Sequence, residues 1–114
     1  MTDFIYYFPL MTRVLTSADF DATIAHGVTL VDMYADWCGP CQRLAPIVEE
    51  LSHDYNGKAT ITKLDVDASG DISAKFGVMS IPTILIFKDG QLVDKTVGLQ
   101  SKEDLIAVLD KHLA

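Results

Sequence analysis

The sequence predicts an α/β domain in which a central mixed five-stranded sheet is flanked by four helices. Two observations carry this prediction. Strand patterns alternate with helical patterns along most of the chain, and an Asp89-Gly90 turn signal separates two strand patterns near its end. The chain has 114 residues and is 49% hydrophobic, which suits a single packed core. The predicted order of elements is β-α-β-α-β-α-β-β-α.

The first strand, first helix and second strand are predicted from local patterns. A short apolar run ends at Val14-Leu15, and residues 16–19 resemble a capping box that opens a helix reaching about His26-Gly27. Residues 29–35 are mostly apolar and predict a buried strand. Asp32 is the single charge in that strand.

The middle of the chain predicts two further helices and a strand. Apolar residues recur at three- and four-residue steps up to Asn56-Gly57 and predict a helix that Pro46 kinks, because proline removes one helical donor. Residues 59–65 alternate like a strand, and residues 69–76 form a short helix stopped by Gly77.

The end of the chain predicts a hairpin and a last helix. Residues 84–87 and 92–97 are strands joined by the Asp89-Gly90 turn, and residues 101–104 cap a helix whose apolar face extends to Leu113. The β-α-β half predicts parallel strands, whereas the hairpin adds antiparallel ones. We therefore expect helices on both faces of a mixed sheet.

Charge and composition exclude several classes of function. The formal net charge is −7, which argues against nucleic acid as a partner because phosphate binding requires a basic surface. Apolar runs are far shorter than the roughly 20 residues that a membrane-spanning helix needs. The first ten residues carry no basic segment typical of a secretory signal. We expect a reducing cytoplasm as the compartment.

Both cysteines lie in one motif, Trp37-Cys38-Gly39-Pro40-Cys41, where a strand pattern ends and a helical pattern begins. The three histidines, His26, His53 and His112, lack metal-ligand spacing to the cysteines, which argues against a zinc site. A static disulfide would stabilise the fold little because its loop is so short. A catalytic dithiol is favoured, since a helix N-terminus stabilises a thiolate.

This motif and four other segments resemble the thioredoxin family in order and spacing. The resemblance covers residues 12–114, so we divide the chain into an N-terminal aromatic extension, residues 1–10, and a thioredoxin domain, residues 11–114. It implies the thioredoxin fold for the predicted α/β sheet. The other matching segments are Val31-Asp32, Pro46, Ile81-Pro82-Thr83 and Val97-Gly98.

The resemblance also implies chemical roles. Cys38, at the exposed helix start, is expected to attack a substrate disulfide, and the more buried Cys41 is expected to resolve the mixed disulfide. Asp32 would accept the proton of Cys41 through a water, with Lys63 nearby. Burial alone predicts a raised pKa for Asp32, because a buried site disfavours the charged carboxylate.

The family further implies a place for the substrate. Pro82 corresponds to a cis-proline beside the sulfurs, and an extended peptide would pair with the backbone of Ile81. We expect a flat apolar docking surface around the disulfide, formed by Trp37, Gly39, Pro40, Ile81, Pro82 and Gly98.

By this resemblance the chain is a general protein-disulfide reductase recycled by thioredoxin reductase. The chain lacks a G-x-G-x-x-G motif, so NADPH and flavin belong to the partner reductase and no cofactor is expected beyond the Cys38–Cys41 disulfide. A disulfide oxidase or isomerase is disfavoured by the Gly-Pro pair between the cysteines and by Asp32. The remaining alternative is a redox-dependent binding subunit of a larger complex.

The chain departs from the family pattern at three places. Tyr34 replaces a frequent tryptophan, and Gln42 replaces the common lysine after Cys41, which removes a positive charge near the thiolate. The aromatic extension has no family counterpart, and Met11 would begin a chain of ordinary family length. We expect a monomer whose segment Phe4–Phe8 promotes weak self-association, because its large apolar side chains are poorly solvated.

Overall fold

The computed structural model describes residues 12–114, and within them it contains five strands and four helices in the predicted order. The elements are β1 (Arg13–Leu15), α1 (Phe20–Ile24), β2 (Val28–Tyr34), α2 (Gly39–Asp54), β3 (Thr60–Asp65), α3 (Gly70–Lys75), β4 (Thr83–Lys88), β5 (Gln91–Val97) and α4 (Lys102–Leu113).

The strands form one mixed sheet in the order β1-β3-β2-β4-β5. β1, β3 and β2 are parallel, whereas β4 runs antiparallel to β2 and β5 antiparallel to β4, so the predicted mixed sheet is confirmed. β2 is central, with Asp32 opposite Lys63 of β3 and Ile84 of β4. Because the carboxyl ends of parallel strands share one edge, the segment after Tyr34 lies at the same edge as the end of β3.

Two apolar clusters cover the two faces of the sheet. α2 and α4 pack over one face and α1 and α3 over the other, as an α/β sheet with covered faces requires. The first cluster comprises Val28, Leu30, Leu44, Val48, Leu51, Tyr55, Ile61, Ile84, Ile86, Leu105 and Leu109. The second comprises Leu15, Phe20, Ile24, Val31, Met33, Leu64, Ile72, Leu85 and Phe87.

Strand periodicity places the single charge of β2 beneath α2. Alternate residues of a strand point to opposite faces, so Asp32 shares a face with Val28 and Leu30, which pack against α2 and α4. The carboxyl group of Asp32 therefore lies on the side of the sheet that α2, the helix containing Cys41, covers.

The first helix begins later than its sequence pattern predicts. Asp19 does not cap α1 with its side chain; its Oδ1 accepts hydrogen bonds from the Thr16 backbone N–H at 2.7 Å and the Thr16 hydroxyl at 3.2 Å. These bonds hold residues 16–19 as a turn, so the helix begins at Phe20 and ends at Ile24. The residues of the predicted capping box thus form a turn that precedes the helix.

Other local predictions are confirmed. Asp89 and Gly90 adopt positive φ of 50° and 86°, as a two-residue hairpin turn requires. Ser101 caps α4, with its Oγ accepting a hydrogen bond from the Asp104 N–H at 3.1 Å. α2 runs through Pro46, and the predicted kink there stays a prediction.

No helix among residues 12–114 is both long enough and apolar enough to span a bilayer. The aromatic extension, with its predicted part in self-association, lies outside the described residues.

Candidate active site

The two cysteines form a disulfide at the beginning of α2. Cys38 is the N-cap residue, in an extended conformation with φ −90° and ψ 113°, and Cys41 lies in the first helical turn with its Cα 5.2 Å from that of Cys38. Gly39 and Pro40 are the first two helical residues; proline suits this place because its missing N–H has no helical partner there. The sequence motif therefore builds a disulfide across a helix N-terminus.

The Sγ atom of Cys38 has two close polar neighbours. It accepts a hydrogen bond from the backbone N–H of Cys41 at 3.2 Å, and it lies 3.8 Å from the carbonyl oxygen of Ile81. An N–H aimed at sulfur, together with the positive end of the helix dipole, favours the thiolate over the thiol after reduction.

Burial does not separate the two cysteines, contrary to the expectation of an exposed Cys38. In the disulfide form Cys38 is 5% exposed and Cys41 is 3% exposed. The reason is local packing, because Ala35 joins both cysteines in one buried cluster and Ile81 packs against it. Their difference lies in position, since Cys38 caps the helix and Cys41 lies within it.

Asp32 is a buried carboxyl group with an open hydrogen-bonding position. It is 2% exposed, and its Oδ1 has no hydrogen-bond partner among residues 12–114. Burial raises the pKa of Asp32 to about 7, and the charge of Lys63 opposes this increase. The predicted raised pKa is confirmed, and the group titrates near neutral pH.

Asp32 and Cys41 line one cleft of about 210 Å³. Lys63 also lines it, and its Nζ lies 5.1 Å from the centroid of the Tyr34 ring. Such a volume holds several waters, and the polar side chains of Asp32, Gln42 and Lys63 in its lining offer a water hydrogen-bond partners. The cleft can therefore hold water between the Cys41 sulfur and the Asp32 carboxyl group.

The segment before β4 approaches the sulfurs from the other side. The bond between Ile81 and Pro82 is cis, as the resemblance implies. Gly98, at φ 95°, donates its N–H to the Pro82 carbonyl oxygen at 2.8 Å, and the Thr83 hydroxyl donates to the Ser80 carbonyl oxygen at 2.6 Å. These bonds fix the loop that carries Ile81.

The rest of the predicted docking surface is largely open. Trp37 is 71% exposed, and Gly39 and Pro40 are exposed, whereas Ile81 and Gly98 are half-buried and Pro82 is buried. Pro82 therefore supports this surface from within.

Sequence reasoning missed three residues beside the motif. Asp67 accepts a hydrogen bond from Trp37 Nε1 at 2.8 Å, and the carbonyl oxygen of Asp36 accepts one from Gln42 Nε2 at 2.8 Å. Arg43 lies beside Gly39, where a Cβ built on that glycine would be 3.9 Å from Nη1. No spacing rule could have paired Trp37 with a residue thirty positions away.

Residues 12–114 contain no cluster of three or more His, Cys, Asp or Glu side chains that could hold a metal ion.

The disulfide joins the N-cap and the first turn of a helix, and a carboxylic acid lines the same cleft as the Cys41 sulfur. Such a site is suited to reversible thiol–disulfide exchange. The fold and this site thus define a thiol–disulfide oxidoreductase.

Comparison with known proteins gives the family. The thioredoxin family model matches residues 11–111, so the chain belongs to the thioredoxin family. Thioredoxin from Staphylococcus aureus, in strains Mu50 and MW2 among others, is 61% identical over 99 residues, covering 87% of this chain and 95% of that protein. A mutant thioredoxin from Halobacterium salinarum NRC-1 superimposes with a TM-score of 0.85 at 34% identity, covering 90% of this chain and 91% of that one.

Cys38 and Cys41 are accordingly a redox-active pair, and the predicted thioredoxin fold and protein-disulfide reduction are both confirmed.

Proposed function

We propose that the chain reduces protein disulfides in two exchanges, with Cys38 as the attacking thiolate and Cys41 as the resolving thiol. In the first, Cys38 forms a mixed disulfide with one substrate sulfur and the other leaves as a thiolate. In the second, Cys41 attacks the Sγ of Cys38. The substrate leaves fully reduced, and two electrons have passed from the dithiol to the substrate.

The hydrogen bond from the Cys41 N–H to the Cys38 Sγ is the observation that carries this assignment. It stabilises negative charge on Cys38, and the helix dipole acts in the same direction. Cys41 lies within the helix, so its sulfur is suited to attack inside an assembled mixed disulfide.

Asp32 serves as the proton acceptor for Cys41, with Lys63 as an auxiliary charge. Support comes from their common cleft and from an Asp32 pKa of about 7, which lets the carboxyl group take up and release a proton at neutral pH. The unpaired Oδ1 supplies an acceptor for an intervening water.

The substrate lies extended on the predicted docking surface, paired with the backbone of Ile81. Support comes from the 3.8 Å approach of the Ile81 carbonyl oxygen to Cys38 Sγ, which brings an available backbone acceptor beside the reacting sulfur. The exposed indole of Trp37 supplies apolar contact area at the other side of the motif.

The oxidised chain is recycled in the cytoplasm by a thioredoxin reductase, whose flavin passes electrons from NADPH to the Cys38–Cys41 disulfide. This proposal follows from the family, whose members act on disulfides and are returned to the dithiol by such a partner. The chain itself works as a monomer without a further cofactor.

Insulin reduction by two serine variants tests the assignment. Cys38→Ser is expected to form no mixed disulfide, whereas Cys41→Ser retains attack and accumulates covalent adducts with substrate, detectable by non-reducing electrophoresis and mass spectrometry. Adducts on the Cys38→Ser variant alone would reverse the two roles. Wild-type protein without insulin-reducing activity would favour the redox-dependent binding subunit instead.

A further inference from the structure

Arg43 brings a positive charge to the loop between the cysteines. It lies one helical turn after Gly39 on α2, and a Cβ built on Gly39 would be 3.9 Å from its Nη1. Gly39 is exposed, so the guanidinium lies beside an exposed part of the loop between the cysteines.

The guanidinium is unengaged within the described part of the chain. Among residues 12–114 Arg43 has no hydrogen-bond or ion-pair partner, and the side chain is exposed. Its neighbour Gln42, in contrast, is held by its hydrogen bond to the Asp36 carbonyl oxygen. Of these two adjacent polar residues, only Arg43 keeps all its donors for a binding partner.

The opposite flank of the motif carries the opposite charge. Trp37 is hydrogen-bonded to Asp67, and Asp36 is exposed beside it. In a chain of net charge −7, the exposed Arg43 at the active-site loop is opposite in sign to these two carboxylates. Its planar fork of donors matches the geometry of a carboxylate.

We propose that Arg43 is a specificity-determining residue that binds an acidic side chain flanking the substrate's disulfide-bonded cysteine. This inference rests on the proposed function, since it concerns the substrate that the docking surface receives. The contact forms on binding, so Arg43 lowers KM for acidic substrates and leaves the thiol exchange itself unchanged.

Three disulfide-linked peptides provide the test, identical except for Glu, Gln or Lys next to the cysteine. At low salt the wild type should favour the Glu peptide over the Lys peptide about 2- to 5-fold in kcat/KM, the range of an exposed ion pair. Arg43→Gln should remove this preference through KM, and Arg43→Glu should reverse it. At about 1 M salt, where screening acts over about 3 Å, the preference should shrink.

Lys58→Gln is the matched control, because it removes one exposed positive charge beyond the opposite end of α2 and should preserve the wild-type preference. Equal reduction of the three peptides by the wild type would overturn the inference, as would an Arg43→Gln variant slowed equally on all of them. Wild-type protein that fails even on the Gln peptide would overturn the proposed function, and this inference with it.

Discussion

Two helix N-termini in this molecule are capped in the same way and differ in what the cap can do. At α4 the Ser101 Oγ accepts a hydrogen bond from the N–H three residues later at 3.1 Å, and at α2 the Cys38 Sγ accepts the corresponding bond at 3.2 Å. Both atoms satisfy an N–H that the helix leaves unpaired. In both places the capping hydrogen bond therefore stabilises the beginning of the helix.

The surroundings of the two caps differ in charge and burial. The first turn of α4 contains Glu103 and Asp104, whose carboxylates offset the positive end of the helix dipole, whereas the first turn of α2 contains no acidic residue. Ser101 is exposed and Cys38 is buried. α2 thus keeps its dipole available for a charge on the capping sulfur, which distinguishes a reactive cap from a structural one.

Replacing the sulfur at the α2 cap should have the largest effect. Cys38→Ser should lower insulin reduction to the uncatalysed background, because the proposed attacking thiolate is gone. The reduced forms of both proteins should unfold within about 1 kcal/mol of each other, since serine is among the best N-cap residues. A much larger loss of stability in urea denaturation would show that the sulfur does more than cap the helix.

Asp32→Asn should stabilise the protein at high pH, by ~4 kcal/mol above pH 7. The estimate is the energy of moving a carboxyl pKa from 3.8 unfolded to about 7 folded. The same change should slow resolution of the mixed disulfide near neutral pH, because the proposed proton acceptor of Cys41 is lost.

The sign follows from the raised folded pKa. Below about pH 3 Asp32 is protonated in both the folded and the unfolded state, and the variant should match the wild type. As pH rises towards 7 the unfolded state releases its proton first, so the wild type loses stability relative to the variant. Urea unfolding from pH 4 to 8 measures the difference, and a difference that does not change with pH would contradict the burial account of Asp32.

Removing the structural cap should affect stability alone. Ser101→Ala should cost about 1 kcal/mol, the usual cost of losing a side-chain N-cap, because the Asp104 N–H loses its acceptor. Insulin reduction should be unchanged when the variant is assayed well below its melting temperature. A comparable loss of activity would mean that the two helix ends are coupled.

Adding an acidic residue near the beginning of α2, as α4 has, should slightly weaken the stabilisation of the Cys38 thiolate. Gln42→Glu adds a negative charge next to the first turn and removes the hydrogen bond to the Asp36 carbonyl oxygen. The Cys38 pKa should rise and alkylation of the reduced protein at pH 7 should slow about 2- to 5-fold, the size of a helix-dipole charge effect. Gln42→Lys is the control of opposite sign, and faster alkylation of the Glu variant would refute the electrostatic explanation.

The fold was largely predictable because its signals are local. Apolar runs, periodicity and capping patterns predicted every strand and helix of the described residues, and the Ser101 and Asp89-Gly90 signals marked their positions correctly. α1 was predicted too long because the capping pattern at its start is used for a turn, with Asp19 bonded back to Thr16. Side-chain patterns do not distinguish these two uses.

The site was predictable only in part. The cysteines stand out in the sequence because they form a recognisable motif, and Asp32 stands out because it is a charged residue in an apolar strand. The burial of Cys38 and the hydrogen bond between Trp37 and Asp67 depend on segments that meet only after folding. Sequence spacing carries no information about such contacts between distant segments.

The pKa of the Cys38 thiol in the reduced protein shows whether the α2 cap holds its sulfur as a thiolate. Thiolate absorbance near 240 nm and the pH dependence of alkylation, assigned to Cys38 by peptide mapping, both measure it. We expect a pKa below that of an unperturbed cysteine, which is about 8.5. A Cys38 pKa at or above 8.5 would contradict it, because burial would then outweigh the hydrogen bond and the helix dipole.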